Sequence, residues 1–357
     1  MTPLACERPA RCAACRERDA TVGAAPVSRA HRASRIQRAV HTRNKPMEKH
    51  AKYQRLIEFC QTLPAMPTAV AHPCDQSSLQ GAVEAAGMGL IAPVLVGPRT
   101  RIEAIAAEHG IDISDFTIVD APHSHAAAAA AVQLVREGKA EAMMKGSLHT
   151  DELMAEVIRR DTGLRTERRI SHCFVMDVPA YENALIITDA AINIAPTLEE
   201  KVDILQNAID LGHALKFDEV RVAVLSATES VNPKIPSTVE AAALCKMVDR
   251  GQITGGLVDG PLALDNAISI EAMRIKKIES RVAGRANVLV VPDLEAGNML
   301  AKSLSFLAGA DAAGIVLGAR VPIILTSRAD SLSTRLASCA VAALVAKARR
   351  EAAKVVG

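Results

Sequence analysis

The feature that most constrains the fold of this chain is a regular alternation that begins near residue 47. Short runs rich in Val and Ile are followed by longer stretches rich in Ala, Leu, Glu and Lys. Buried parallel strands read as apolar runs, and connecting helices have the longer, mixed composition, so the pattern predicts β-α-β units. Strands are predicted at residues 93–96, 116–119, 141–144, 184–188, 222–226, 256–258, 288–292 and 322–326.

The composition fits helices packed on such a sheet. Aromatic residues make up 2% of the 357 residues and Trp is absent, so aliphatic side chains must fill the interior. Proteins that bind single-stranded nucleic acid stack bases on aromatic rings. We therefore expect no nucleic-acid partner.

Small or polar residues follow many of the predicted strands. In open α/β sheets the ligand lies beyond the carboxyl ends of the strands, so we expect these residues to gather in one region per sheet. The eight predicted strands could form one sheet or two, and the pattern favours two α/β lobes with parallel-type sheets and a cleft between them. The residues are Gly97, Asp120, Lys145, Gly146, Asp189, Ser226, Asp259, Gly260, Asp293, Ser327 and Arg328.

Residues 1–46 differ from the rest of the chain. They carry nine Arg and one Lys against three acidic residues, a net charge of +7, whereas the whole chain carries +2. They show no helical or strand periodicity. We expect a disordered tail, or an extension upstream of a true start at Met47. An organelle presequence is the alternative, and Glu7 and Glu17 argue against it.

The eight cysteines show no disulfide or zinc-site spacing. Cys12 and Cys15 lack a second pair of ligands, and the five cysteines of the body are scattered, which indicates reduced thiols. No segment reaches the roughly 18–20 apolar residues that a membrane span needs, and the start lacks a signal-peptide pattern. These observations predict a cytoplasmic protein without a membrane span or a metal site.

The segment Thr326-Ser327-Arg328-Ala329-Asp330-Ser331 follows a predicted strand and opens a predicted helix. Free amides at a helix N-terminus favour an anion, and the guanidinium of Arg328 is a forked donor suited to phosphate. Ser327 can bond a phosphoryl or carbonyl oxygen. The alternative is that Ser327 only caps the helix and Arg328 is a surface charge.

Two further segments have the same strand-to-helix form. In Met143-Met144-Lys145-Gly146-Ser147-Leu148-His149-Thr150, Lys145 can meet a phosphate, His149 can donate to an oxygen, and Thr150 can cap a helix. In residues 292–300, Asn298 offers an amide, while Asp293 can equally be a helix cap and Gly297 a packing residue.

The loops at 226–234 and 258–267 are also polar strand ends, but they name no chemistry by themselves. The P-loop, the dinucleotide-binding glycine motif, the nucleophile elbow and the zinc-protease motif are all absent from the sequence.

Taken together and in this order, these segments resemble the phosphate acetyl/butyryltransferase family. The likeness covers essentially all of the chain after about Met47. The matching pieces are residues 145–150, 188–193, 225–226, 259–265, 292–293, 296–298 and 327–328.

The resemblance implies an architecture similar to that of isocitrate dehydrogenase, with two α/β lobes. One lobe would comprise residues 47–165 plus 318–357 and the other residues 166–317. It also implies a homodimer, which neither spacing nor composition shows.

The resemblance further implies that the chain moves a short acyl group between coenzyme A and inorganic phosphate, giving acyl phosphate, with no cofactor beyond coenzyme A as substrate. Arg328 would bind phosphate and Ser327 would hold the reacting oxygen. Asn298 is a candidate to stabilise the transition state, and Asp330 or His149 to act as the thiol base. Substrate-binding residues would be Lys145, Gly146, His149, Thr150, Asp293 and Gly297.

The sequence departs from the pattern of the family at two positions. Thr334 stands where the acetyl branch has a carboxylate, and Met154 stands about where many relatives have an Arg. The run Ser-Arg-Ala-Asp-Ser resembles the butyryl branch instead. Two alternatives stay open: a non-catalytic relative that binds coenzyme A, and a decarboxylating dehydrogenase of the same fold that uses a metal and NAD.

Overall fold

The computed structural model describes residues 51–327 and 330–356, in which eleven strands alternate with eleven helices. The predicted tail at 1–46 and the candidate Arg328 lie outside the described residues. The strands are β1 Met66–Ala71, β2 Ile91–Gly97, β3 Thr117–Asp120, β4 Ala142–Lys145, β5 Ser171–Asp177, β6 Leu185–Thr188, β7 Arg221–Leu225, β8 Leu257–Leu262, β9 Val288–Val290, β10 Asp311–Leu317 and β11 Ile323–Ile324. The helices are α1 Ala51–Cys60, α2 Gln76–Gly87, α3 Arg99–His109, α4 Ser124–Arg136, α5 Thr150–Val157, α6 Leu198–Ala214, α7 Pro236–Asp249, α8 Leu264–Ile268, α9 Ile270–Ile275, α10 Leu294–Leu307 and α11 Leu332–Val356.

All eleven strands belong to one sheet, in the order β3-β2-β1-β4-β11-β10-β5-β6-β9-β7-β8. Most neighbours are parallel, which confirms the predicted α/β class. The pairs β11–β10, β10–β5 and β5–β6 are antiparallel. The sheet is continuous across the predicted lobe boundaries at 165/166 and 317/318, and the division into lobes stays a prediction.

The three antiparallel pairs divide the strand ends into two groups. Because an odd number of reversals separates β11 from β6, the strands β1–β4 and β11 run opposite to β6, β9, β7 and β8. The predicted site residues therefore fall into one group after β4 and β11 and a second group after β6 and β9.

The C-terminal helix α11 is part of the core. Residues 337–346 are all buried, and the helix packs against β10, α1 and α2. Small residues make this close approach possible, since half of these buried positions are Ala. This packing fixes α11 behind the turn that follows β11. Of the helices in the described part of the chain, none is both long and apolar enough to cross a membrane.

Candidate active site

The turn after β11 carries Ser327 and Asp330. The backbone nitrogen of Ser327 donates to Asp330 Oδ2 at 2.6 Å, and the backbone nitrogen of Asp330 donates to the oxygen of Ser327 at 3.2 Å. Ser327 is exposed, whereas Thr326 before it is buried. Asp330 therefore closes the turn that presents Ser327.

A buried arginine of α11 supports the same turn from behind. Arg335 donates to Thr326 Oγ1 at 2.8 Å and to the backbone oxygen of Ser327 at 2.9 Å. Its guanidinium also reaches Ser77 Oγ in α2 at 3.3 Å. Arg335 was not predicted as a site residue, although a single Arg directly before the long apolar run of α11 was a signal for it.

The turn after β4 packs directly on the end of β1. Gly146 is required there, because a Cβ at this position would lie 2.5 Å or less from the backbone oxygens of Ala71 and His72. Ser147 donates its backbone nitrogen and its hydroxyl to the oxygen of His72, both at 2.9 Å. The structure thus gives Gly146 a packing role, and whether the residue also approaches substrate stays a prediction.

Lys145 lies inside this turn and is almost fully buried. Its ammonium donates to the backbone oxygens of Gly146 and Leu148 at 3.2 and 3.1 Å. In this arrangement the lysine holds the turn together, and the predicted contact with phosphate would require its Nζ to turn outward.

The cap of the helix that follows lies one residue before the predicted cap. His149 is the N-cap of α5, not Thr150, and its backbone nitrogen donates to Glu152 at 3.1 Å. The imidazole of His149 is exposed and lines a polar pocket of about 470 Å³ beyond the ends of β1 and β4. His72, Cys74, Asp75, Arg101, Ser124, Ser147, Leu148 and Glu152 complete this pocket.

His72 faces Ser147 across that pocket, with 2.9 Å between Nδ1 and Oγ. Burial and the charge of Arg101 lower the pKa of His72, against the opposing effect of Glu152. A neutral imidazole is therefore present at pH 7. The pocket offers hydroxyls, two imidazoles and one arginine to a small polar ligand.

In the second group, Asp189 organises the loop after β6. Its carboxylate accepts the backbone nitrogens of Ala191 and Ile192 at 2.9 and 3.0 Å and the side-chain amide of Asn193 at 2.6 Å. It is almost fully buried. Asp189 therefore acts inside the protein and gives the loop a fixed shape.

The start of α10 packs against this loop. Asp293 is the N-cap and accepts the backbone nitrogen of Ala296 at 2.8 Å. A Cβ on Gly297 would lie 2.9 Å from the oxygen of Asp189. The side-chain amide of Asn298 donates to the oxygen of Ala190 at 3.3 Å. The structure therefore places Asp293, Gly297 and Asn298 where they hold the loop, and their predicted contacts with substrate remain predictions.

A groove of about 720 Å³ lies between α5 and the loop after β6. Of the predicted site residues in the described part of the chain, only Thr150 lines it. One wall is a face of α5, formed by Thr150, Asp151, Met154, Ala155 and Ile158, which recur at helical spacing. The opposite wall is the loop that Asp189 shapes, at residues 191–194, together with Leu294. Arg165, Arg168, Arg169 and Ile170 also line the groove.

In the parts of the chain that the structure describes, no three His, Cys, Asp or Glu side chains are grouped so that they could hold a metal ion. Three acidic residues at the predicted strand ends and in the loop at 258–267 have other contacts. Asp293 caps α10, Asp265 pairs with Lys276, and Asp259 accepts the backbone nitrogen of Gly260.

Comparison with known proteins covers most of the chain. The profile of the phosphate acetyl/butaryl transferase family matches residues 124–343. A phosphate acetyltransferase of Rhizobium meliloti is 67% identical over 305 residues, which is 85% of this chain and 96% of that protein. A phosphate butyryltransferase of Clostridium acetobutylicum is 42% identical over 278 residues, 78% of this chain and 92% of that protein.

A solved structure gives the same result for the fold. The branched-chain phosphotransacylase of Enterococcus faecalis V583 superimposes with a TM-score of 0.69 at 30% identity. The match covers 79% of this chain and 99% of that one.

Proposed function

Since this chain belongs to the phosphate acetyl/butyryltransferase family, we propose that the acyl group it moves between coenzyme A and phosphate is acetyl. The reaction is acetyl-CoA plus phosphate giving acetyl phosphate plus coenzyme A. The name of the relative that is 67% identical supports acetyl. The butyryl-like run at Ser327 and the 42% identity to a butyryltransferase favour a longer chain as the second candidate.

The groove beside α5 is the observation that supports the proposal best, and we assign it to coenzyme A. Met154, Ile158 and Ile192 give it apolar surface that suits the pantetheine arm. Arg165 and Arg168 add guanidinium groups that suit phosphates. Its volume of about 720 Å³ lies in the range of small-molecule sites.

The chemical step needs no nucleophile from the protein, because phosphate is already an anion. A phosphate oxygen attacks the thioester carbon, the carbonyl oxygen gains negative charge, and the bond to sulfur then breaks to release the thiolate of coenzyme A. Arg328 orients the phosphate in this proposal. Ser327, exposed at the end of β11, donates to the oxygen on which charge builds up.

Asn298 and His149 have secondary roles in this scheme. Asn298 shapes the groove through its hydrogen bond to the oxygen of Ala190. It does not stabilise the oxyanion in this scheme. His149 is exposed at the start of α5 and can protonate the leaving thiolate or accept its proton in the reverse direction.

We also propose a cytoplasmic homodimer that acts without nucleic acid or membrane. Met299, Phe306 and Leu307 of α10 are all more than half exposed, and Phe306 and Leu307 follow Met299 by about two turns on one side of the helix. Such a surface is typical of a contact between copies. The five cysteines of the described residues are free, as is usual in a reducing compartment.

The test of the reaction is thiol release by the full chain from acetyl-CoA, propionyl-CoA and butyryl-CoA, with and without phosphate and in the presence of EDTA. We expect release that depends on phosphate, is insensitive to EDTA and is fastest with acetyl-CoA. A higher kcat/KM for butyryl-CoA would overturn the acetyl assignment. Binding of coenzyme A without turnover would overturn the proposed reaction.

The groove is tested by Ala155→Trp. Ala155 is exposed on the groove wall, so an indole there occupies the space assigned to coenzyme A. We expect the KM for acetyl-CoA to rise about tenfold while the KM for phosphate stays unchanged. Ala107→Trp is the matched control, since Ala107 is an exposed residue of α3. Equal effects of the two variants would contradict the assignment.

A further inference from the structure

We propose that Arg335 is a positioning residue of the transferase site, and that Gly81 exists to leave room for it. From α11 the guanidinium fixes the turn that presents Ser327, without touching substrate. The inference rests on the proposed role of Ser327.

The bonds of Arg335 connect three separate parts of the chain. It joins α11 to the β11 turn, through Thr326 Oγ1 and the oxygen of Ser327, and to α2, through Ser77 Oγ. The planar fork of a guanidinium can serve three acceptors in fixed directions, whereas a lysine offers a single point charge. The position of the turn is thereby fixed relative to both helices.

The environment of Arg335 shows that stability alone does not explain the residue. It is 3% exposed, and its acceptors among the described residues are two hydroxyls and a carbonyl. The carboxylate of Asp75 is connected to it through Ser77. Burying a charge with neutral partners is costly, and apolar residues of similar volume usually stabilise such a site better. Because Arg335 lies directly behind the exposed Ser327 despite this cost of burial, we infer that its role is to set the geometry of the turn.

The same network reaches the polar pocket beyond β1 and β4. Ser77, which accepts from Arg335, donates to Asp75 at 3.1 Å, and Asp75 caps α2 through the nitrogen of Ser78 at 2.7 Å. Burial raises the pKa of Asp75, but the bonds from Ser78 and Ser77 and the charge of Arg335 lower it below its usual value. The turn after β11 and the wall of that pocket are thus held by one chain of contacts.

Gly81 supplies an independent observation. A Cβ built on Gly81 would lie 2.7 Å from Cδ of Arg335, closer than real Cβ contacts. Glycine inside a helix costs about 1 kcal/mol relative to alanine. The absence of a side chain at this position of α2 therefore leaves room for the side chain of Arg335.

The first test is Gly81→Ala, with Gly87→Ala as the matched control. Both glycines belong to α2, but a Cβ on Gly87 meets nothing within 4 Å. We expect Gly81→Ala to lower kcat on the order of tenfold by displacing the turn, with the KM for acetyl-CoA changed less than about threefold. Gly87→Ala should keep wild-type kinetics. Wild-type kcat in Gly81→Ala, or equal losses in both variants, would overturn the inference.

The second test is a pair of double-mutant cycles. In an Arg335→Ala background, Gly81→Ala should cause no further loss, because the atoms it would contact are gone. In a Ser327→Ala background, Arg335→Ala should lower kcat much less than it does in the wild type, because Arg335 acts through that serine. If the kcat losses of the two single variants multiply fully in either cycle, and the variants unfold at the wild-type temperature, Arg335 is only structural.

The two proposals can fail separately. A Ser327→Ala variant with full activity would overturn the role of Ser327 in the reaction. An inactive Ser327→Ala variant together with wild-type kcat in Gly81→Ala would leave the role of Ser327 intact and overturn that of Arg335. The Gly81 comparison also remains decisive if Arg335→Ala does not fold.

Discussion

Asp330 Oδ2 accepts a hydrogen bond from the backbone nitrogen of Ser327 at 2.6 Å. The same carboxylate was a candidate base for the thiol of coenzyme A. To close the turn, the side chain needs only an oxygen that accepts from the backbone. To act as a base, it must also take up a proton.

The substitution Asp330→Asn separates these two roles. An amide oxygen can still accept from Ser327 but cannot act as a base at neutral pH. We expect Asp330→Asn to keep activity within about threefold in both directions, and Asp330→Ala to lose about tenfold because the turn loses its acceptor. The measurement is initial rate in the forward and reverse directions.

A base would give another result. If Asp330 deprotonates the thiol, the asparagine variant should lose the reverse reaction selectively and its acid-side pH dependence should disappear. That outcome would contradict the structural role.

The substitution Gly297→Ala tests how closely α10 approaches the loop after β6. A Cβ at this position would lie 2.8 Å from Val291 Cγ2 and 2.9 Å from the oxygen of Asp189. Helix propensity alone favours Ala by about 1 kcal/mol, so any loss must come from these contacts. We expect the thermal midpoint to fall and the KM for acetyl-CoA to rise several-fold. A stabilised variant with unchanged KM would mean that the loop moves freely.

Asp189→Asn should destabilise the protein. The carboxylate accepts from Ala191, Ile192 and Asn193, and an amide nitrogen in place of one oxygen cannot accept. Loss of charge-assisted bonds at a buried site costs about 2 kcal/mol, to be measured by urea unfolding. The control is Asp112→Asn, where the exposed carboxylate accepts from Ser114. Equal changes in the two variants would contradict the importance of burial.

The parts of the fold that the sequence predicted are those with a local cause. The change from strand to helix at residues 292–300 was predicted, because the Asp cap that precedes α10 acts within one segment. Strands β1, β5 and β10 were not predicted from the sequence, because their patterns differ from those of the predicted strands. β1 contains Pro67, and β10 begins with small residues. β5 and β10 pair antiparallel in mid-sheet, outside the β-α-β rhythm.

The candidate site was predictable only in part for the same reason. Lys145, Gly146 and Asp293 were found as strand-end residues, but their inward contacts could not be read from the strand ends alone. Arg335 and Ser77 are 258 residues apart in sequence. No local pattern links them, and only the packing of α11 on α2 brings them together.

The cysteines of the described residues should react slowly. Burial raises the pKa of Cys60, Cys173 and Cys339 to about 12 and that of Cys74 to about 11. The thiolate is the reactive form, so the native protein should leave these positions unmodified by iodoacetamide at pH 8, as read by peptide mass spectrometry. Urea-unfolded protein is the control, in which all of them should be modified. Rapid native modification of Cys74 would show that the polar pocket opens.

The pH dependence of stability should carry a contribution from His172 in β5. Burial lowers the pKa of His172 to about 4, although the charge of Asp189 opposes the shift. Its Nδ1 has no hydrogen-bond partner in the described part of the chain. In the unfolded chain the pKa is about 6.5. Between these two values the unfolded state binds the proton and the folded state does not, so folding loses stability as pH falls from about 6.5 to 4.

The loss attributable to His172 should reach about 3 kcal/mol at pH 4 and be absent above pH 7. We expect His172→Gln and His172→Leu to flatten this part of the curve of unfolding free energy against pH, measured in urea at half-unit steps. His125→Gln is the control, because that imidazole is 61% exposed. An identical slope in the wild type and in both His172 variants would mean that the imidazole is protonated inside the fold, which would require Asp189 to outweigh burial.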